Sequence, residues 1–382
     1  MTAQARISEA PLPQEAWDER LMAAANSIGR RNLGQTFPNP AVGALIVRFE
    51  NGVPVIVARG ATAPGGRPHA ETEALRIAGE AARGATTYVT LEPCAHHGKT
   101  PPCANAIISA GIARAVIAVE DPNPEVKGKG TALLRAAGIE VTLGVGAVDA
   151  SRTHAGHFRR MTDGRPHLIL KIAVSADGKT GLEGRRPADI SCAASRAEAH
   201  MMRATADAIL VGSGTVAADD PQLTCRLPGM MERSPIRIVL DSGLRIPLGS
   251  RLVRTAREVP VWVMTTDGAS PETERALAAA GVSVLRTAPK GGRLDLGAAL
   301  KRLGERGISR VLVEGGPILS AMLVRSDLVD EAVVVRSEKA LGAVALDALE
   351  GMPLEALTGS PKLEIVERRT LGGDSLTHYF RS

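Results

Sequence analysis

Aromatic residues are scarce in this chain: four Phe, two Trp and two Tyr in 382 residues, or 2 %. Proteins that grip single-stranded nucleic acid stack bases on such rings, so this composition argues against that class. Cysteine is also sparse, with four in all, too few for a disulfide scaffold. No apolar run approaches the roughly 18–20 residues that a membrane helix needs. Residues 1–19 are polar and lack the apolar core of a secretory signal. Blocks of like charge are absent too. The 46 Lys+Arg and 41 Asp+Glu leave a net charge of +5 spread along the whole chain, which excludes a polybasic arm for nucleic acid or membrane. Together these absences predict a cytoplasmic protein in reducing surroundings, with neither nucleic acid nor membrane as partner.

What is present fits a globular protein. Apolar residues make up 44 %, and 40 Gly with 24 Pro suit many short turns. The length predicts two to three domains. Apolar runs of strand length at 42–47, 53–58, 86–91, 115–119 and 140–145 alternate with helical spacing at 15–30, 71–82, 103–110 and 130–137. That rhythm predicts a three-layer α/β domain over 15–160 with a largely parallel sheet. Residues 151–164 are polar and basic and run into Thr162-Asp163-Gly164-Arg165-Pro166, read as a helix followed by a linker. The rhythm then restarts over 165–382. Strands are expected at 167–174, 208–211, 236–240, 259–264, 282–285, 310–313 and 331–335, with a terminal antiparallel pair at 362–369 and 375–380.

The strongest chemical signal is His69-Ala70-Glu71, followed by Pro93-Cys94 and, eight residues further on, Cys103. One imidazole and two thiolates suit Zn²⁺, and three protein ligands leave the fourth position for water, as in catalytic sites. Zinc lowers the pKa of such a water to about 7. Prolines before each cysteine predict a helix start at both, which favours thiolates. Glu71, not needed as a ligand, would sit beside the water as general acid and base. The pattern H-x-E…P-C…C is that of zinc deaminases, although their cysteines are usually two residues apart. A structural zinc knot completed by His96 or His97 is the competing reading; it has no use for Glu71. In the second half, Val211-Gly212-Ser213-Gly214-Thr215 and Glu314-Gly315-Gly316-Pro317 each end a strand in a glycine turn. The second of these opens a helix whose free N–H groups favour a pyrophosphate.

The stretch Glu92-Pro93-Cys94-Ala95-His96-His97-Gly98-Lys99-Thr100-Pro101-Pro102-Cys103 closely resembles the deaminase half of the bifunctional riboflavin-biosynthesis deaminase/reductases. Pro38-Asn39-Pro40-Ala41-Val42-Gly43 and Asp121-Pro122-Asn123-Pro124 resemble that family as well. The resemblance implies a cytidine-deaminase-like fold, zinc on His69, Cys94 and Cys103, and Glu71 as proton shuttle. It further implies that Asn39, His96, Lys99, Asp121 and Asn123 contact the substrate. The second half is similar to the family's reductase, whose fold resembles dihydrofolate reductase. The similarity runs through Lys171–Thr180, Ala206–Val216, Asp219–Arg226 and Glu314–Pro317 in order. It implies an NADPH site lined by Ala173, Thr215, Asp219, Ser242, Gly315, Gly316, Pro317, Ile318 and Leu319. The implied substrate site comprises Arg203, Leu223, Arg226 and Glu314. One departure is visible: many relatives carry Ser-x-Trp-Ile where this chain has Pro187-Ala188-Asp189-Ile190-Ser191, without the aromatic.

The expected activity is hydrolytic, zinc-dependent deamination of 2,5-diamino-6-ribosylamino-4(3H)-pyrimidinone 5′-phosphate. NADPH-dependent reduction of the ribosyl group to ribityl would follow. The partner is thus a small phosphoribosyl pyrimidine, and the β-rich tail is a candidate surface for a homodimer or higher homo-oligomer. The alternative, a nucleoside or RNA deaminase with an appended nucleotide-binding domain, calls for close cysteine spacing, a basic face and aromatics. This sequence shows an eight-residue gap between the cysteines and few aromatics.

Overall fold

The computed structural model describes residues 12–95 and 101–382. The chain divides into two compact units. One comprises the described residues up to Asn32 together with Asn39–Thr162, and the other comprises Leu33–Pro38 and Asp163–Ser382.

The first unit runs α1 (Gln14–Arg30), β1 (Gly43–Glu50), β2 (Val53–Ala61), α2 (Ala70–Ala78), β3 (Thr86–Val89), α3 (Cys103–Ser109), β4 (Arg114–Ile117), α4 (Lys129–Ala136), β5 (Glu140–Leu143) and α5 (Ala147–Asp163). Its five strands lie in the order β2-β1-β3-β4-β5. The sheet is mixed rather than largely parallel. β1 pairs antiparallel with β2 and with β3, and only β3, β4 and β5 are mutually parallel. The cause is a two-residue hairpin at Asn51-Gly52, both with positive φ, the geometry that Asn-Gly favours and that matches the twist of the strands. The helix expected over 71–82 stops at Gly79, where φ is 54°, and continues only as a 3₁₀ turn. Apolar side chains cover both faces of the sheet: Ile46, Val89 and Ile117 on one, Leu45, Tyr88 and Val116 on the other. Burial on both sides explains why these short strands are continuously apolar. Helix α1 approaches β1 so closely that a Cβ at Gly43 would lie 1.9 Å from the carbonyl oxygen of Ala25.

The second unit begins with β6 (His167–Val174), β7 (Lys179–Gly181), α6 (Ala193–Ala204), β8 (Ala208–Gly212), α7 (Ser213–Asp219), β9 (Ile236–Leu240), α8 (Arg251–Arg254) and β10 (Val261–Thr266). It continues with α9 (Pro271–Ala279), β11 (Ser283–Thr287), β12 (Pro289–Lys290), β13 (Arg293–Leu294), α10 (Leu296–Glu305), β14 (Arg310–Val313) and α11 (Pro317–Arg325). It closes with β15 (Glu331–Arg336), β16 (Leu346–Asp347), α12 (Glu355–Thr358), β17 (Leu363–Leu371) and β18 (Asp374–Arg381). Nine strands form one sheet in the order β11-β10-β9-β8-β14-β6-β15-β18-β17. It is parallel from β11 to β15 and antiparallel at β18 and β17, so the terminal pair forms as expected. Alternate residues of β6 and β14 feed two cores: Leu168, Leu170, Val311 and Val313 one, Ile169 and Leu312 the other. At the start of β6, Arg165 donates two hydrogen bonds, of 2.6 and 2.9 Å, to the buried Asp330, which also accepts from the Leu168 backbone N–H at 3.0 Å.

Candidate functional sites

In the first unit, three side chains far apart in sequence converge. His69 is the N-cap of α2 and Cys103 is the first residue of α3, behind Pro102. Cys94 departs from expectation: residues 92–95 after β3 are not helical. Instead the Cys94 carbonyl accepts the Ala104 N–H at 3.2 Å, so the cysteine serves the first turn of α3 rather than starting a helix of its own. His69 Nδ1 lies 3.3 Å from Cys103 Sγ and 3.8 Å from Cys94 Sγ. All three ligand atoms fall within 4.8 Å of one another, the spacing of groups able to share one ion. The electrostatics fit a cation as well. The Cys103 thiol and backbone N–H both donate to Cys94, and with the facing His69 they hold the Cys94 thiol down at about 4. Sharing that proton pushes the Cys103 thiol up. A metal removes this conflict by taking both as thiolates.

Glu71 stands in the first turn of α2, two residues after His69, and is 4 % exposed. Burial, and then the Cys94 thiolate, push its carboxyl up to about 7. A buried carboxyl beside a three-ligand metal cluster is a group that can both accept and return a proton near neutral pH. Asn39 donates to the Gly66 carbonyl at 2.7 Å, fixing the turn that leads into His69. Asp121 is buried and bonded to His157 Nε2 at 2.9 Å. Its Oδ1 also accepts the Asn123 N–H at 2.9 Å, and Asn123 Oδ1 in turn accepts the Glu125 N–H at 3.0 Å. His96 and Lys99 lie outside the described residues.

In the second unit, a cavity of about 900 Å³ opens at the C-terminal ends of β6, β8, β9 and β14, where open α/β sheets bind nucleotides. It brings together Ala173, Thr215, Asp219, Ser242, Glu314 and the whole run Gly315–Leu319. A Cβ at Gly212 or Gly214 would meet no atom within 4 Å, so these glycines leave open space against the backbone. Thr215 Oγ1 accepts the Gly316 N–H at 3.2 Å and ties the start of α7 to the turn before α11. Helix α11 starts at Pro317 without a side-chain cap, leaving N–H groups for an anion. Burial pushes the Asp219 carboxyl above its ordinary range. The cavity therefore fits an extended, phosphate-bearing dinucleotide.

The substrate-site residues divide into two kinds. Arg203 Nε and Nη2 reach Glu314 at 2.7 and 2.8 Å, a bidentate pair with both side chains 13 % exposed, and Nη1 donates to the Thr224 carbonyl. This guanidinium is already spent on protein groups. Burial raises the Glu314 carboxyl, but Arg203 outweighs it and holds the group below its usual range. Arg226 is exposed, and among the described residues its guanidinium makes only a 3.5 Å contact with Gln222. Burial and the neighbouring Arg203 lower its pKa, which marks a spot where an anion is welcome. Leu223 is buried with φ 56°, a conformation unusual for a bulky residue. Lys171 was missed as a site residue. It lines the cavity on β6, where burial depresses its ammonium against the pull of Glu314. The signal was a lone lysine inside the apolar strand 167–174. Asp189 stands on the surface, paired with Arg196 at 3.0 Å.

Residues 166–377 match the RibD C-terminal domain, and residues 15–119 match the cytidine and deoxycytidylate deaminase zinc-binding region. The riboflavin biosynthesis protein RibD of Escherichia coli is 39 % identical over 375 residues, spanning 94 % of this chain and 98 % of that protein. The Aquifex aeolicus RibD is 42 % identical over 327 residues, 85 % of this chain and 88 % of that one. Among solved structures, Acinetobacter baumannii RibD superposes with a TM-score of 0.84 at 34 % identity over 97 % of this chain and 100 % of its own. A deaminase/reductase from Thermotoga maritima gives 0.82 at 33 % over the same shares. No helix among the described residues is long and apolar enough to cross a membrane. The chain belongs to the RibD family: it is a bifunctional deaminase and NADPH-dependent reductase of riboflavin biosynthesis, with a zinc-binding deaminase domain.

Proposed function

We propose that residues 15–160 deaminate 2,5-diamino-6-ribosylamino-4(3H)-pyrimidinone 5′-phosphate and that residues 165–382 reduce the ribosyl group of the product to ribityl. The observation that carries the first half is the convergence of His69, Cys94 and Cys103 beside a buried Glu71. His69, Cys94 and Cys103 would hold zinc, which when bound would supply a water made acidic enough to act as a nucleophile near neutral pH. The Glu71 carboxylate is placed to relay the two protons of the attacking water in turn, one to the ring nitrogen and one to the leaving amine, so that ammonia would depart and a ring carbonyl would remain. Asp121 and Asn123 face the heterocycle, and Asn39, one of whose N–H groups holds the Gly66 turn, meets it with its remaining atoms. The structural-knot alternative gives no reason for a carboxyl held at about 7 next to the ligands.

In the reductase half, NADPH when bound would supply a hydride for the ribosyl carbon. Ala173, Thr215, Asp219, Ser242 and the Gly315–Leu319 turn hold the dinucleotide. Arg226 meets the substrate phosphate, whereas Arg203 acts by keeping Glu314 charged and oriented. Asp219, raised by burial, is the group suited to hold the proton that balances the hydride. Reliance on free thiols at the metal site and on NADPH suits the cytoplasm.

The test is Glu71→Gln. Ammonia release from the diaminopyrimidine ribotide is expected to vanish, while oxidation of NADPH with the deaminated product supplied persists. Retained ammonia release would overturn the assignment of Glu71.

A further inference from the structure

Helix α4 has no cap of its own. Its N-cap is Gly128, in the left-handed region with φ 73°, and offers no side-chain acceptor. The free N–H groups of the first turn are met instead from a distant part of the chain. Glu92 Oε2 accepts the Gly128 N–H at 3.0 Å, and Oε1 accepts the Thr131 N–H at 3.0 Å. The same Oε2 accepts the Asp121 N–H at 3.3 Å. Glu92 is 3 % exposed, so all three bonds form out of water, where a carboxylate at a helix N-terminus gains both the hydrogen bonds and the dipole. Backbone packing closes the same seam: a Cβ at Gly130 would lie 2.0 Å from the Pro93 carbonyl oxygen.

Glu92 thus touches two segments at once. It lies two residues before Cys94, and it binds both ends of the 121–131 loop that presents Asp121 and Asn123. We propose that Glu92 is a positioning residue of the deaminase half, fixing the distance between the Cys94 segment and the loop that contacts the substrate. Its carboxylate needs two acceptor oxygens for three donors, which an amide cannot supply: a glutamine would turn an N–H₂ group toward a backbone N–H.

The inference rests on the reading that Cys94 holds zinc and that Asp121 and Asn123 face the substrate. The experiment uses the full zinc-loaded chain. Ammonia release from the diaminopyrimidine ribotide is measured for Glu92→Gln and, independently, Gly130→Ala. Bound zinc, and NADPH oxidation with the deaminated product, are followed alongside. In both variants KM is expected to rise about tenfold, the size of one lost charge-assisted hydrogen bond. Bound zinc and the NADPH reaction should be unchanged, and kcat should fall much less than KM rises. Faster hydrogen exchange at the Gly128 and Thr131 amides should accompany this in Glu92→Gln. An unchanged KM in both variants would overturn the proposal. So would loss of zinc with the KM of the remaining active fraction unchanged, which would make Glu92 a structural residue only. Failure of the underlying reading looks different: Cys94→Ser would then keep its zinc, or Asn123→Ala would leave KM unchanged.

Discussion

His154 predicts that the deaminase unit weakens in acid. The residue lies on α5, is 1 % exposed, and bonds Thr90 Oγ1 at 3.1 Å through Nε2, while its Nδ1 has no hydrogen-bond partner among the described residues. Burial, and then the neighbouring His157, push its pKa down from 6.5 to about 3, against a smaller opposing pull from Asp121. In the unfolded chain the imidazole takes up a proton below its ordinary value; in the folded unit it does not. Stability is therefore full above pH 6.5 and is lost as the pH falls toward about 3. At a pH about two units below 6.5 the loss approaches roughly 3 kcal/mol. Each unit of the structure carries one tryptophan, Trp17 and Trp262. With Trp262→Phe, Trp17 reports the deaminase unit alone. Urea unfolding followed by Trp17 fluorescence at neutral pH and at about pH 4.5, with and without His154→Gln, measures the difference. Gln removes the titration, so the variant should lose roughly 2–3 kcal/mol less on acidification. Equal losses within about 0.5 kcal/mol would refute the reasoning.

Three other outcomes follow from named contacts. Removing zinc with a chelator, or replacing Cys94 by Ser, should abolish ammonia release yet leave NADPH oxidation intact when the deaminated product is supplied. Arg165→Met leaves the buried Asp330 without its bidentate partner and should destabilise the reductase unit by about 3–5 kcal/mol, read from Trp262 fluorescence in urea. Arg226→Ala should raise the reductase KM about tenfold with a small change in kcat, since a phosphate contact made equally in ground and transition states affects binding alone.

Short-range chemistry was the part of this protein legible in its sequence. The convergence of His69, Cys94 and Cys103 could be read in part because His69 and Cys103 open helices whose apolar patterns are strong. The nine-stranded sheet and its terminal hairpin were readable for the same reason. The mixed sheet of the first unit was missed although Asn51-Gly52 announces a hairpin, because the alternation of strands and helices around it suggested crossovers. The helix start expected at Cys94 failed because a proline signal says nothing about which backbone groups a distant helix will claim. Two further features depended on contacts no local pattern encodes. Arg203 and Glu314 are 111 residues apart in sequence, so their bidentate pairing appears only in the fold. Glu92 caps a helix more than thirty residues away, where the sequence shows only an acidic residue before a cysteine motif.

The central claim is that one chain carries out both reactions in order. Purified, zinc-loaded protein is given the diaminopyrimidine ribotide alone while ammonia is followed, and NADPH is then added and its oxidation recorded. Ammonia is expected without NADPH, followed by oxidation of one NADPH for each ammonia released. Absence of ammonia from zinc-loaded protein, or oxidation of NADPH without prior deamination, would contradict it.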